Sequence, residues 1–130
     1  MSTYLIFIGA ANLIGAFLLL ACLKESWADL LLRRLCYFLP QEKPYVHSEY
    51  SRLFLWWAII GTGFFGAINI VASGWPTEYA TWIVYGNIYC YAAFELLAIA
   101  GSLSPRFGAG VHVAHVLWIG QAGWGVYTLL

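Results

Sequence analysis

Three ionisable side chains stand inside stretches otherwise built of apolar residues: Glu95, His112 and His115. Such groups are costly to place in an apolar setting, so they are the first candidates for function. A carboxyl and an imidazole can share or relay a proton. Neutral imidazoles can also ligate a haem or a chlorophyll-type pigment. A Glu–His couple can serve as acid and base towards an apolar substrate such as a lipid or sterol. The bland alternative is a buried hydrogen bond that fixes the register of two helices. His112 and His115 are three apart and fall near one helical face. With a single carboxylate they make too small a ligand set for most structural metals, which want about four, so no metal site is expected.

Neutral polar residues form a second pattern. Thr62, Gly66, Asn69 and Ser73 share a narrow helical face, and Asn87, Tyr91 and Glu95 recur every fourth residue. Asn12 lies among Gly9, Gly15 and Ala16, and Gln121 points away from His112. Small residues let helices approach closely and amides bond across the contact, so the packed centre of a helix bundle accounts for the pattern. A continuous polar path from Asn69 through Asn87 and Tyr91 to Glu95 is the sharper alternative and would carry a proton or a small solute.

These side chains need helices to hold them. A membrane-spanning helix takes about 20 mostly apolar residues, and four stretches qualify: 4–23, 53–73, 80–101 and 109–130. The first lacks the basic residues that open a secretory signal and reads as a true span. The fold expected is an all-α membrane protein, four transmembrane helices in an up-down bundle forming a single domain over 1–130. At about 1.5 Å per residue, Glu95 and His115 come to the same depth on consecutive antiparallel helices.

The basic residues set the orientation. Lys24, Arg33, Arg34, Lys43 and Arg52 lie between the first two spans, and Arg106 between the last two. Basic loops stay in the cytoplasm, which puts both termini on the non-cytoplasmic side, with the bacterial inner membrane as the expected location. Aromatic residues favour the two interfaces: Tyr4, Trp75, Tyr79, Trp82 and Tyr127 at the outer level, and Trp27, Tyr37, Tyr50, Trp56 and Trp57 at the inner one. Trp118 and Trp124 fall deeper and read as packing residues.

The cytoplasmic connection, 24–52, is too long for a turn. Ser26 and Asp29 have the spacing of a capping box. Trp27, Leu30, Leu31, Leu35 and Phe38 recur at helical spacing, with Glu25, Asp29 and Arg33 opposite. An interfacial amphipathic helix ended by Pro40 is expected, either anchoring in lipid or docking a partner. The stretch 41–51 reads as loop, and His47 as a solvated loop histidine.

The chain is 62% hydrophobic and only 9% charged, against about 25% charged in soluble domains. Its net charge is zero, which leaves no electrostatic case for nucleic acid. Cys22, Cys36 and Cys90 are widely separated, show no metal spacing, and read as small apolar residues without a structural disulfide. No phosphate-binding loop, nucleophile elbow or zinc-protease motif is present.

Four functions remain open. One is an accessory or scaffold subunit of a larger membrane complex. Other membrane subunits, in a homo- or hetero-oligomer, and bound lipid are the expected partners. The smooth faces around Gly61, Gly63 and Gly66 and around Gly120, Gly123 and Gly125 point to contact with other subunits or with a rigid lipid or pigment. The second is a haem- or pigment-binding protein using His112 or His115. The third is a small transporter or proton path using Glu95. The fourth is a lipid- or sterol-modifying enzyme with Glu95 and His115 as its catalytic candidates.

Overall fold

The computed structural model describes residues 1–35, 44–102 and 110–130, the side chains at 101, 102, 110, 111 and 113 excepted. Among the described residues every regular element is helical. The order is α1 (Ser2–Ala21), α2 (Glu25–Ala28) running on into a π-helical stretch Asp29–Leu35, α3 (Glu49–Ala72), α4 (Thr77–Ser102) and α5 (Gly110–Leu129). Three of them, α1, α3 and α4, are long and apolar enough to cross a membrane. Neither α1, α4 nor α5 has a strongly polar side. A helix that is apolar all round must be covered all round, by protein or by lipid.

The helix boundaries follow local chemistry. α3 starts at Glu49, earlier than the hydropathy pattern places it, because Ser48 and Ser51 form a reciprocal cap. Ser51 N–H donates to Ser48 Oγ at 3.0 Å and Ser48 N–H to Ser51 Oγ at 2.7 Å. That cap satisfies two N–H groups the helix start would otherwise orphan. Pro76 stands just before α4, where its missing N–H costs nothing, and its carbonyl accepts from Tyr79 and Ala80.

The helices associate as two intimate antiparallel pairs, α1 with α3 and α4 with α5, and the pairs meet across a looser seam. Glycine explains the tightness of the first pair. A methyl group added at Gly9 would lie 2.9 Å from the Gly66 carbonyl, and one at Gly66 would lie 2.9 Å from the Leu13 backbone nitrogen. The two backbones touch there, as small residues permit. In the second pair Gly125 leaves a notch that Ile88 of α4 fills together with the Tyr4 hydroxyl of α1. Two buried clusters result, one around Tyr4, Leu5, Ile8, Val84 and Tyr91, the other around Cys22, Ala28 and Leu55.

The connection differs in detail from the expectation. Lys24 is the residue before α2, Ser26 lies inside the helix, and no side chain caps it. Asp29 is instead drawn into ion pairs: Arg33 Nη2 donates to it at 2.7 Å and Arg34 Nε at 3.0 Å. A π turn brings both the fourth and the fifth residue over the first, which suits one carboxylate serving two arginines. Leu31 turns inward with Leu32 onto the Cys22 cluster, while Trp27, Leu30 and Leu35 stay exposed. Phe38, Pro40, Cys36 and Arg106 lie outside the described residues.

His47 lies in chain without regular structure, as a loop residue would, but it is not solvated. Residues 44–48 run along α2 as an extended strap. Tyr45 N–H donates to Asp29 at 2.8 Å and His47 N–H to Glu25 at 2.9 Å. The spacing is commensurate: two residues of extended chain advance about 6.7 Å and four helical residues about 6 Å. The His47 ring packs edge-on against Tyr45, centroids 5.1 Å apart. Both its nitrogens are enclosed, and among the described residues neither has a hydrogen-bond partner.

Candidate functional site

Three polar residues of α4 have their main partners on three different helices. Four residues turn a helix by about 40° beyond a full circle, so Asn87, Tyr91 and Glu95 point in successive directions. Asn87 faces α3, where it and Asn69 exchange amide hydrogen bonds of 2.7 and 3.2 Å. Both side chains are fully buried, and Asn69 also donates to the Phe65 carbonyl at 2.9 Å. Tyr91 faces α1, where its hydroxyl accepts from Asn12 Nδ2 at 3.0 Å. Asn12 donates in addition to the Ile8 carbonyl at 2.8 Å. Glu95 faces α5, where its Oε1 lies 2.6 Å from His115 Nδ1.

The Glu95–His115 pair is the chemically distinctive part. Its side chains are 16% and 20% exposed, so water reaches little of either. Glu95 Oε2 is enclosed and has no hydrogen-bond partner among the described residues. His115 keeps Nε2 beyond its contact with Glu95. His112, one turn away, is exposed, and its ring lies 6.0 Å from that of His115, tilted by 35°. Phe94 and Trp118 pack together beside the pair, centroids 5.6 Å apart. Among the described residues no group of three or more His, Cys, Asp or Glu side chains could hold a metal ion.

The equal depth of Glu95 and His115 is met by direct contact. Asn69 and Asn87 meet as well, and Tyr91 meets Asn12. The polar rank is therefore divided among three partner residues on three helices. Thr62 and Ser73 stay apart from it: Thr62 lies against Gly15 and Ser73 Oγ donates to the Ile70 carbonyl at 2.6 Å. Gln121 takes part through its backbone, whose carbonyl stands 3.5 Å from the Tyr4 hydroxyl.

Tyr4 is the residue the sequence reading placed differently. It ranks among the interfacial aromatics by position, yet it is buried, packed edge-on against Trp124 at 5.5 Å, with its hydroxyl beside the Asn87 amide. The signal was present: Tyr4, Ile8 and Asn12 are spaced by four and form one inward stripe. Trp124, which also contacts Phe7, and Trp118 are packing residues as read. Cys22 is buried and Cys90 half-buried.

Away from the helices, the Asp29 carboxyl is held well below the usual carboxylate range, first by the Arg33 guanidinium and then by the Tyr45 N–H. The same contact raises Arg33. This cluster is structural in geometry, a clasp between α2 and the strap.

Set against known protein families, characterised proteins and solved structures, the chain matches none of them.

Proposed function

We propose that the chain is a four-span membrane protein, with α5 as the fourth span and both termini outside the cytoplasm, acting as a small accessory subunit in a larger membrane assembly. The observation carrying this reading is how the polar and the smooth surfaces are distributed. Inside, Asn12, Asn69, Asn87 and Tyr91 are occupied in joining the helices to one another. Outside, Gly61, Gly86, Gly120 and Gly123 have open space where a side chain would stand, flanked by exposed Ile60, Trp82, Ile119 and other large apolar groups. Smooth patches among bulky ones are the shape that receives another helix or a rigid lipid. α2 and the π-helical stretch after it, with Trp27, Leu30 and Leu35 outward, lie at the inner interface as an anchor. The soluble portions are too small for a catalytic domain.

Native mass spectrometry of the particle, extracted in mild detergent from its own membrane, tests the reading. Co-migrating distinct subunits support it; a bare monomer or a homo-oligomer overturns it.

A haem or pigment ligated by His115 is the second reading, because one observation favours it. Metal-ligating histidines almost always give their other ring nitrogen to a carboxylate or carbonyl, and Glu95 occupies Nδ1 while Nε2 remains. Visible absorption abolished by His115→Leu supports that reading, and its absence in the particle from the native membrane overturns it.

A further inference from the structure

The hydrogen bonds that join α4 to α3 and α1 use neither a carboxyl nor an imidazole. Two amides suffice at Asn69–Asn87, and an amide with a phenol at Asn12–Tyr91. Glu95 is the exception. A carboxyl is a far more costly link inside lipid than an amide, and only one of its oxygens is used. Glu95 Oε2 and the two His47 nitrogens are the buried side-chain polar atoms without a partner among the described residues.

We propose that His112, His115 and Glu95 form a proton-exchange site within the membrane, in which His112 takes up the proton, His115 passes it on and Glu95 holds it. The inference rests on the four-span reading but not on membership of an assembly. The 2.6 Å between Glu95 Oε1 and His115 Nδ1 places one hydrogen between them. An imidazole accepts a proton at one nitrogen and releases another from the opposite one. In the loading step His115 carries hydrogen on Nδ1, bonded to ionised Glu95. A proton arriving on His112 crosses to His115 Nε2, over a ring separation of 6.0 Å that one water can bridge. The Nδ1 hydrogen then moves to Glu95 Oε1. One proton enters, one bond to hydrogen breaks at Nδ1, one forms at Nε2, one forms on Glu95, and the pair loses its net negative charge. A pair that can hold a proton without net charge is tolerated in lipid. His112, exposed in the first turn of α5, is assigned as the entry point.

Among the described residues few other ionisable groups face this site. On α4, Tyr91 lies one turn away with its hydroxyl bonded to Asn12, and Cys90 is half-buried. α1 brings no charged side chain; on α3, Glu49 and Arg52 are exposed in the first turn. Arg106 lies outside the described residues.

Infrared difference spectroscopy of the purified protein in an ester-free maltoside detergent tests the site, combined with stopped-flow proton uptake after a pH jump. Acidification is expected to raise a protonated-carboxyl band that is missing in Glu95→Gln, whose amide still accepts from His115. His112→Gln is expected to keep the band and slow proton uptake on the order of a hundredfold. Absence of any Glu95-dependent band over the range in which imidazole and carboxyl groups titrate would overturn the proposal and leave a fixed helix-joining bond. So would unchanged uptake in His112→Gln, or a cofactor seated on His115 Nε2. Topology is read independently with reporter fusions, so failure of the site and failure of the four-span reading are distinguishable.

Discussion

Asn69 and Asn87 each donate an amide hydrogen to the other's carbonyl oxygen, closing a buried two-bond ring between α3 and α4. Neither partner has solvent to turn to. Replacing one, as in Asn87→Leu, strands the other and is expected to lower stability by about 1–2 kcal/mol. Asn69→Leu with Asn87→Leu together is expected to lose clearly less than the sum of the singles. Reversible unfolding in mixed micelles measures all three. Additive losses would show that the ring is not a coupled unit.

Gly66 presents its backbone directly to α1, whereas Gly120 faces open space. Gly66→Ala must therefore push α1 and α3 apart and is expected to cost about 1–3 kcal/mol. Gly120→Ala is expected to leave unfolding unchanged or slightly delayed, since alanine is the better helix former. The same melt separates the two. Equal effects would contradict the close approach at Gly9 and Gly66.

Tyr91→Phe removes only the acceptor of one Asn12 hydrogen, and Asn12 keeps its bond to the Ile8 carbonyl. The expected loss is smaller, about 0.5–1.5 kcal/mol. A loss as large as that of Asn87→Leu would mean that Tyr91 carries more than this bond.

The clasp on α2 is sensitive to acid, with a definite sign. The Asp29 carboxyl is depressed in the folded chain, mainly by Arg33, so its contribution is present above the unfolded value, about 3.9. That contribution is lost as pH falls from there towards the folded value. Hydrogen exchange at the Tyr45 and His47 amides is the readout. Both are expected to exchange slowly at neutral pH. In Asp29→Asn the Tyr45 amide is expected to exchange faster at every pH above about 4. Unaltered Tyr45 exchange in that variant would show the strap is held by other means.

Orientation has its own readout. A C-terminal reporter active only outside the cytoplasm is expected to be active, and the same reporter placed after Lys24 inactive, because five of the basic residues lie between the first two spans. The reverse pattern would overturn the assignment of both termini.

Much of the helix inventory was legible because hydropathy and length alone mark α1, α3 and α4. The contact of Glu95 with His115 was legible from depth, since rise per residue is constant. Which helix each α4 residue meets was not. A drift of about 40° per step distributes Asn87, Tyr91 and Glu95 over three neighbours only once those neighbours are placed. The strap was hidden for a different reason: Tyr45 and His47 contribute backbone N–H groups, which carry no residue-type signal. The capping-box spacing at Ser26 misled because Asp29 had two arginines within reach, a stronger attraction than a backbone N–H.

The pairing of α1 with α3 and of α4 with α5 has a consequence for how the chain comes together. Each pair is consecutive among the long helices, so each can close as soon as its own second member has been made. The seam between pairs then forms last, and it is where Asn69 meets Asn87 and Asn12 meets Tyr91. A chain cut in the Gly74–Pro76 turn would leave two halves, each a helix pair carrying one side of the shared buried cluster and its matched adhesive groups. Co-expressed, those halves should find one another and rebuild the whole.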